Sequence, residues 1–200
     1  MGAPFSRLTV VRADITTLDV DAIVNAANSK LIPGGGVDGA INKAAGPELG
    51  CAMMAIGRCP TGEAVITPGF KLAAQHVIHT VAPVFSQHKE ADVWRLLGNC
   101  YRNSLALAAE HGVATIAFPS LGTGVYGIPI NRAAGVAVDA AFQHADGRDA
   151  PSRIVFCCFS DGDAEHYRAA LAAATSRPRP RSGRRDRGRV PRQQYRNLRE

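Results

Sequence analysis

Two asparagines, three residues apart, precede a glycine run and an aspartate in V-N-A-A-N-S-K-L-I-P-G-G-G-V-D-G-A-I, Val24–Ile41. Asn25 and Asn28 each bring a carboxamide that donates and accepts hydrogen bonds. Asp38 brings a carboxylate just past Gly34, Gly35 and Gly36. Glycine lets backbone N–H groups approach a ligand closely, and the loop that opens a helix is a natural anion cradle. Carboxamides and a carboxylate beside such a cradle suit a phosphorylated nucleotide carrying extra sugar hydroxyls. A second glycine-rich stretch, S-L-G-T-G-V-Y-G at Ser120–Gly127, offers a second set of N–H groups.

Positioning these residues requires strands that run into loops and helices that leave them. Short apolar, β-branched runs predict strands at Leu8–Val11, Asp21–Asn25, Ala64–Thr67, His76–Val81, Val113–Phe118 and Arg153–Phe159. Helices are predicted at Asp38–Ala45, Glu48–Ile56, Ala91–His111, from about Pro129 to Ala145, and at Asp163–Thr175. Gly112 reads as the residue just past the third helix. Strands alternating with helices predict an α/β fold: a largely parallel sheet covered by helices on both faces.

The charge is unevenly spread. The net +6 and pI near 9.4 describe the whole chain. Ser176–Glu200 holds ten arginines and two acids, so the tail carries +8 and the remainder −2. Residues 1–175 are read as one domain and 176–200 as a disordered Arg/Pro-rich tail, which lacks the apolar surface to offset its chain entropy. The tail is either a solvated extension or a weak, non-specific, salt-sensitive nucleic-acid contact through Arg177–Arg199. No run of apolar residues is long enough for a membrane span. The N-terminus lacks the apolar core of a signal peptide, and its M-G-x-x-x-S is a nominal myristoylation match only, so a cytoplasmic protein is expected. The five cysteines include no C-x-x-C and are read as reduced, mostly buried thiols.

G-x-G-x-x-G occurs twice, at Gly34, Gly36, Gly39 and at Gly122, Gly124, Gly127. The first fails as a dinucleotide fingerprint. About nine residues separate it from its strand, and Cys59 stands where an acid is needed. Two loops sharing one diphosphate is the more economical reading. No P-loop, H-E-x-x-H or G-x-S-x-G is present, so Ser120 has no nucleophile-elbow context and no motif requires a metal. His76 and His79, three apart on a strand, face opposite sides and cannot pair on a metal; a structural or supporting role is expected.

R-A-D-I-T, D-A-I-V-N-A-A-N-S, G-G-G-V-D-G-A-I, C-P-T-G-E-A, V-I-H-T-V-A-P and A-F-P-S-L-G-T-G-V-Y-G-I-P occur in this order between about Leu8 and Leu171. Together they resemble a macrodomain of the MacroD-like class. The resemblance implies a three-layer α/β/α sandwich with a mixed, largely parallel sheet, and binding of ADP-ribose. It also implies hydrolysis of esters on the distal ribose: deacetylation of O-acetyl-ADP-ribose and removal of mono-ADP-ribose from acidic side chains of proteins. The partners are then ADP-ribose, its O-acyl esters and mono-ADP-ribosylated proteins, with no cofactor and no metal.

Carried over by resemblance, Asp14 accepts the adenine amine, with the Ile15 backbone alongside. Gly34, Gly35, Gly36 and Val37 wrap the diphosphate together with the second loop, Ser120, Gly122, Thr123, Gly124, Val125 and Tyr126. Phe159 either stacks on adenine or packs in the core. Asn28 and Asp38 match the catalytic pair at the distal ribose, while Asn25 is expected at the ligand or, more simply, supporting its loop. In the expected mechanism Asn28 holds a ribose hydroxyl and Asp38 orients or deprotonates a water. A carboxylate of ordinary pKa, about 4, is a weak base at neutral pH, so desolvation or a substrate phosphate oxygen must assist. The alternative is a reader module that binds ADP-ribose without cleaving it.

The chain departs from the resemblance in three places. Ala13 replaces the usual glycine before Asp14, and Gly122 replaces the usual serine of the second loop. The latter is expected to weaken binding modestly or loosen the loop. The segment between Glu48 and Cys59 is several residues shorter, which bears on selectivity.

Overall fold

The computed structural model describes residues 7–145, 147 and 150–176. The Arg/Pro-rich segment 177–200, with its suggested nucleic-acid contact, and the Gly2 motif lie outside the described residues.

Among the described residues six strands form one sheet: β1 (Leu8–Arg12), β2 (Ala22–Ala26), β3 (Ala64–Pro68), β4 (His76–Thr80), β5 (Thr115–Phe118) and β6 (Arg153–Cys158). Their spatial order is β1-β6-β5-β2-β4-β3. All neighbours run parallel except β3, which pairs antiparallel with β4. Five helices cover it: α1 (Gly36–Ala45), α2 (Pro47–Ile56), α3 (Glu90–Glu110), α4 (Ile130–Ala145) and α5 (Asp161–Thr175). The fold is a mixed, largely parallel α/β/α sandwich, as expected.

The near-continuous apolar strands follow from burial on both faces. Ala22, Val24, Ile78, Ile116, Phe118, Ile154 and Phe156 pack against α3, α4 and α5. Their neighbours Ile23, Val77, Ala117 and Val155 pack with Ile41, Ala45, Leu49 and Met53 of α1 and α2 on the other face. This is the period-2 alternation of a strand read on both sides. No helix among the described residues is long and apolar enough to cross a membrane.

The elements differ from the sequence-based expectation mainly at their ends. The helix α1 starts at Gly36, two residues early, because Gly35 and Gly36 turn directly into it. The helix α5 starts at Asp161, where Ser160 caps it by accepting a hydrogen bond from Asp163 N at 3.1 Å. The strand β6 ends at Cys158 rather than Phe159. Phe159 is 90% exposed, so the core-packing alternative for it is overturned.

Candidate active site

Parallel strands bring their carboxyl ends to one rim of a sheet, and ligands of open α/β sheets bind there. Asp14 follows β1, Phe159 follows β6, the loop 119–127 follows β5, and Asn25 to Gly35 run from β2. Along the rim they therefore stand in the order Asp14, Phe159, second loop, first loop. Three strand spacings, about 14 Å, separate the β1 and β2 ends. The rim suits a long, extended molecule.

The first loop is fastened by Asn28. Its Oδ1 accepts from Lys30 N (3.1 Å) and Ile32 N (3.4 Å), and its Nδ2 donates to Ile32 O at 2.6 Å. Leu31 N donates to Asn28 O at 3.0 Å, which closes a tight turn. Leu31 has a φ of 53°, a left-handed conformation that costs a non-glycine residue roughly 1–2 kcal/mol. Its fully buried side chain offsets that cost by filling the core beside α1.

Asp38 sits in the first turn of α1 and is buried. Three N–H donors converge on it. Oδ1 accepts from Asn25 Nδ2 at 2.5 Å and from Asn42 Nδ2 at 3.0 Å, and Oδ2 accepts from Gly34 N at 2.5 Å. A Cβ placed on Gly34 would lie 3.1 Å from Asp38 Oδ2 and 3.8 Å from Asn28 Nδ2. The Asn28 and Asp38 side chains thus border one space, above the backbone of Gly34. A Cβ on Gly39 would lie 2.8 Å from Gly34 O, so only glycine there lets the loop rest on the helix.

Asn25 is wholly buried. Of the two expectations for it, ligand contact or internal support, the hydrogen bonds favour support: its amide nitrogen is spent inside the protein, while Oδ1 is buried without a hydrogen-bond partner. Nδ2 reaches Asp38 and also His79 Nδ1 at 3.1 Å, and His79 Nε2 lies 2.9 Å from Thr67 Oγ1. Asn25 and His79 are direct partners in the β2–β4 register. Burial pushes the His79 imidazole down to about 4, so it is neutral at physiological pH. His76, on the opposite face, meets His111 edge-on at 6.1 Å.

Asn42, His79, Thr67 and Gly39 were not singled out as site residues from sequence. Asn42 was within reach, since i and i+4 residues share a helix face. His79 and Thr67 join Asn25 only through the pairing of β2, β4 and β3.

The second loop is pinned internally. Ile128 N donates to Gly122 O (3.0 Å), Gly127 N to Gly124 O (2.9 Å) and Thr123 Oγ1 to Ser120 O (2.9 Å). Phe85 N donates to Tyr126 O at 2.9 Å, tying the loop to the segment after β4. Gly122 has a φ of 76°, and a Cβ there would lie 2.5 Å from Ile128 Cδ1. The missing serine is thus a conformational requirement of this loop, which is fastened at both ends. Gly124 and Val125 are exposed, while Ser120, Thr123 and Tyr126 are half-buried.

At the far end of the rim, Asp14 Oδ1 accepts from Thr16 Oγ1 (2.7 Å) and Thr16 N (2.9 Å). The Thr16 hydroxyl and then its N–H hold this carboxyl below its ordinary range. Ile15 is buried and opens a 3₁₀ turn at Ile15–Thr17. Ala13 has no positive φ, and its N–H donates to Cys158 O at 3.3 Å, so glycine is not needed there. Among the described residues no group of three or more His, Cys, Asp or Glu is placed to hold a metal ion.

A six-stranded α/β/α sandwich whose rim carries two glycine loops around an Asn–Asp pair defines the class, and the comparisons agree. The Macro domain family matches residues 24–137, and the chain belongs to that family. The Macro domain-containing protein RSc0334 of Ralstonia nicotianae is 55% identical over 87% of this chain and 99% of its own length. The O-acetyl-ADP-ribose deacetylase of Salmonella typhimurium is 49% identical over 83% of this chain and 94% of its own. Among solved structures, the Oceanobacillus iheyensis macrodomain with ADP is 41% identical, covers 83% of this chain and 90% of that one, and superposes with a TM-score of 0.78.

Proposed function

We propose that this chain binds ADP-ribose and hydrolyses esters on its distal ribose, deacetylating O-acetyl-ADP-ribose and removing mono-ADP-ribose from acidic side chains of proteins. One observation carries the reading: the order of the rim. An ionised acceptor (Asp14), an exposed aromatic (Phe159), a cradle of N–H groups and the Asn28–Asp38 space follow one another along it. That is the order of adenine, diphosphate and distal ribose in ADP-ribose. The name of the Salmonella relative and the ADP in the Oceanobacillus structure support the same chemistry.

Each group then has a task. Both bonds from Thr16 fall on Asp14 Oδ1, leaving Oδ2 to accept from the adenine amine. The exposed Phe159 ring stacks on the base. Gly35–Val37 and the second loop hold the diphosphate with backbone N–H groups, the expected Gly34 N–H being already donated to Asp38 Oδ2. Asn28 has spent one amide N–H on Ile32, and the other holds a ribose hydroxyl.

A carboxylate offers about four acceptor positions. Asn25 and Asn42 fill two on Oδ1, and Gly34 fills one on Oδ2. The fourth, on Oδ2, faces the space shared with Asn28 and orients a water toward the ester carbonyl. Water adds to that carbon, backbone N–H groups steady the oxyanion, and the ribose oxygen leaves with a proton. A substrate phosphate oxygen assists in taking up the water's proton. An ester is an activated bond, so this modest equipment suffices.

The test is a parallel assay on O-acetyl-ADP-ribose and on glutamate-linked ADP-ribose, with ADP-ribose binding followed by calorimetry. The wild-type chain releases product from both. Asp38→Ala loses most of that release, while its nucleotide affinity falls less. ADP-ribose binding with no product release by the wild type would mark the chain as a reader.

A further inference from the structure

The face of the sheet beneath α1 carries a polar row that the proposed chemistry does not use directly. It runs from Asn25 on β2 through His79 on β4 to Thr67 on β3, and all three residues are buried. Buried polar side chains are costly unless satisfied, so a row of three calls for a reason.

The reason lies in the amide of Asn25. Asp38, when ionised, only accepts hydrogen bonds, so Asn25 must turn its nitrogen, not its oxygen, toward Oδ1. The second hydrogen of that nitrogen then points at His79 Nδ1, 3.1 Å away. The imidazole must accept there, which leaves its proton on Nε2, 2.9 Å from Thr67 Oγ1. The opposite tautomer, or the protonated ring, would set N–H against N–H. An amide free to rotate by half a turn would instead set its oxygen against the carboxylate.

We infer that His79 and Thr67 are positioning residues: by fixing one imidazole tautomer they lock the Asn25 amide with its nitrogen toward Asp38, and so hold the carboxylate in working orientation. The inference rests on the function proposed above. The neutral state that burial imposes on His79 agrees with it. Thr67 touches the ring, the ring touches Asn25, and only Asn25 touches Asp38, so neither His79 nor Thr67 meets substrate.

Two measurements test this. The first is NMR of the full chain labelled with ¹⁵N in its histidines: at neutral pH the His79 proton is found on Nε2, and a proton on Nδ1 overturns the inference. The second compares His79→Leu, His79→Gln and Thr67→Val on an ester substrate. His79→Leu removes the acceptor, and its kcat falls roughly tenfold to a hundredfold, as for other small misplacements of a reacting group. Its Kd for ADP-ribose stays close to that of the wild type. Glutamine can accept from Asn25 and donate to Thr67, so His79→Gln recovers most of the lost kcat. Thr67→Val frees the tautomer without changing side-chain shape, gives a smaller loss of kcat, and carries the comparison where His79→Leu does not fold.

A fall of kcat and affinity together, with no rescue by glutamine, marks His79 as a packing residue and overturns the inference. Undiminished turnover in a folded His79→Leu, or in Thr67→Val where His79→Leu does not fold, overturns it and leaves the functional reading standing. A wild-type chain that binds ADP-ribose but releases no product overturns both.

Discussion

Asn25 at the end of β2 donates its amide N–H to Asp38 Oδ1 in the first turn of α1, 2.5 Å away and out of contact with solvent. The bond ties the sheet to the helix that carries the carboxylate. Asn25→Leu keeps the branched outline of the side chain and removes the donor, leaving Oδ1 with Asn42 alone. Losing a donor to a buried charged acceptor costs about 1–3 kcal/mol. The expected result is a lower urea midpoint together with a loss of ester turnover.

Gly122→Ser supplies the hydroxyl that the macrodomain resemblance leads one to expect, yet the geometry predicts harm. Its φ of 76° is strained for any residue with a Cβ, and that Cβ would press on Ile128. A loss of ~1–2 kcal/mol is expected, read as a lower melting temperature, with no gain in ADP-ribose affinity. Ala13→Gly is the contrasting change. Ala13 already has an allowed backbone, so glycine there only adds unfolded-state freedom and costs up to about 1 kcal/mol.

Phe159 is exposed, so Phe159→Ala should leave stability within about 0.5 kcal/mol of the wild type. Base–aromatic stacking is worth about 1–3 kcal/mol, so calorimetry should show ADP-ribose affinity falling by roughly tenfold. Unchanged affinity would remove Phe159 from the adenine position.

His79 gives the fold an acid sensitivity of known sign. The unfolded chain protonates this ring near 6.5, the folded chain only at about 4. Between those values the unfolded state binds more protons, so stability falls as pH falls. Above 6.5 the ring contributes nothing, and below 4 the full penalty, about 3 kcal/mol, persists. Urea titrations at pH 7 and pH 5 should show a loss of about 2 kcal/mol in the wild type that is absent in His79→Gln.

Of the five cysteines, Cys51 is exposed and the other four are buried. Burial pushes the thiols of Cys59, Cys100, Cys157 and Cys158 up to about 11, so almost no thiolate is present at neutral pH. Brief treatment of the native protein with iodoacetamide should label Cys51 alone by mass spectrometry.

Local chemistry was legible in the chain. The strands read as such because Val24, Ile78, Phe118 and Ile154 sit in short runs buried on both faces, a pattern that survives in one dimension. The glycine loops and the Asn28–Asp38 pair were visible because nine intervening residues, rich in glycine, leave little choice but a bend between them. What the sequence determined by itself was the set of elements and the chemical types at their ends. Tertiary structure decided which strand lies next to which, and hence the order of Asp14, Phe159 and the two loops along the rim. It also decided that Asn25 belongs to the interior. Hydrogen bonds joining residues 12 to 54 positions apart, such as Thr67 to His79 and Asn25 to His79, depend on strand register, which long-range packing selects.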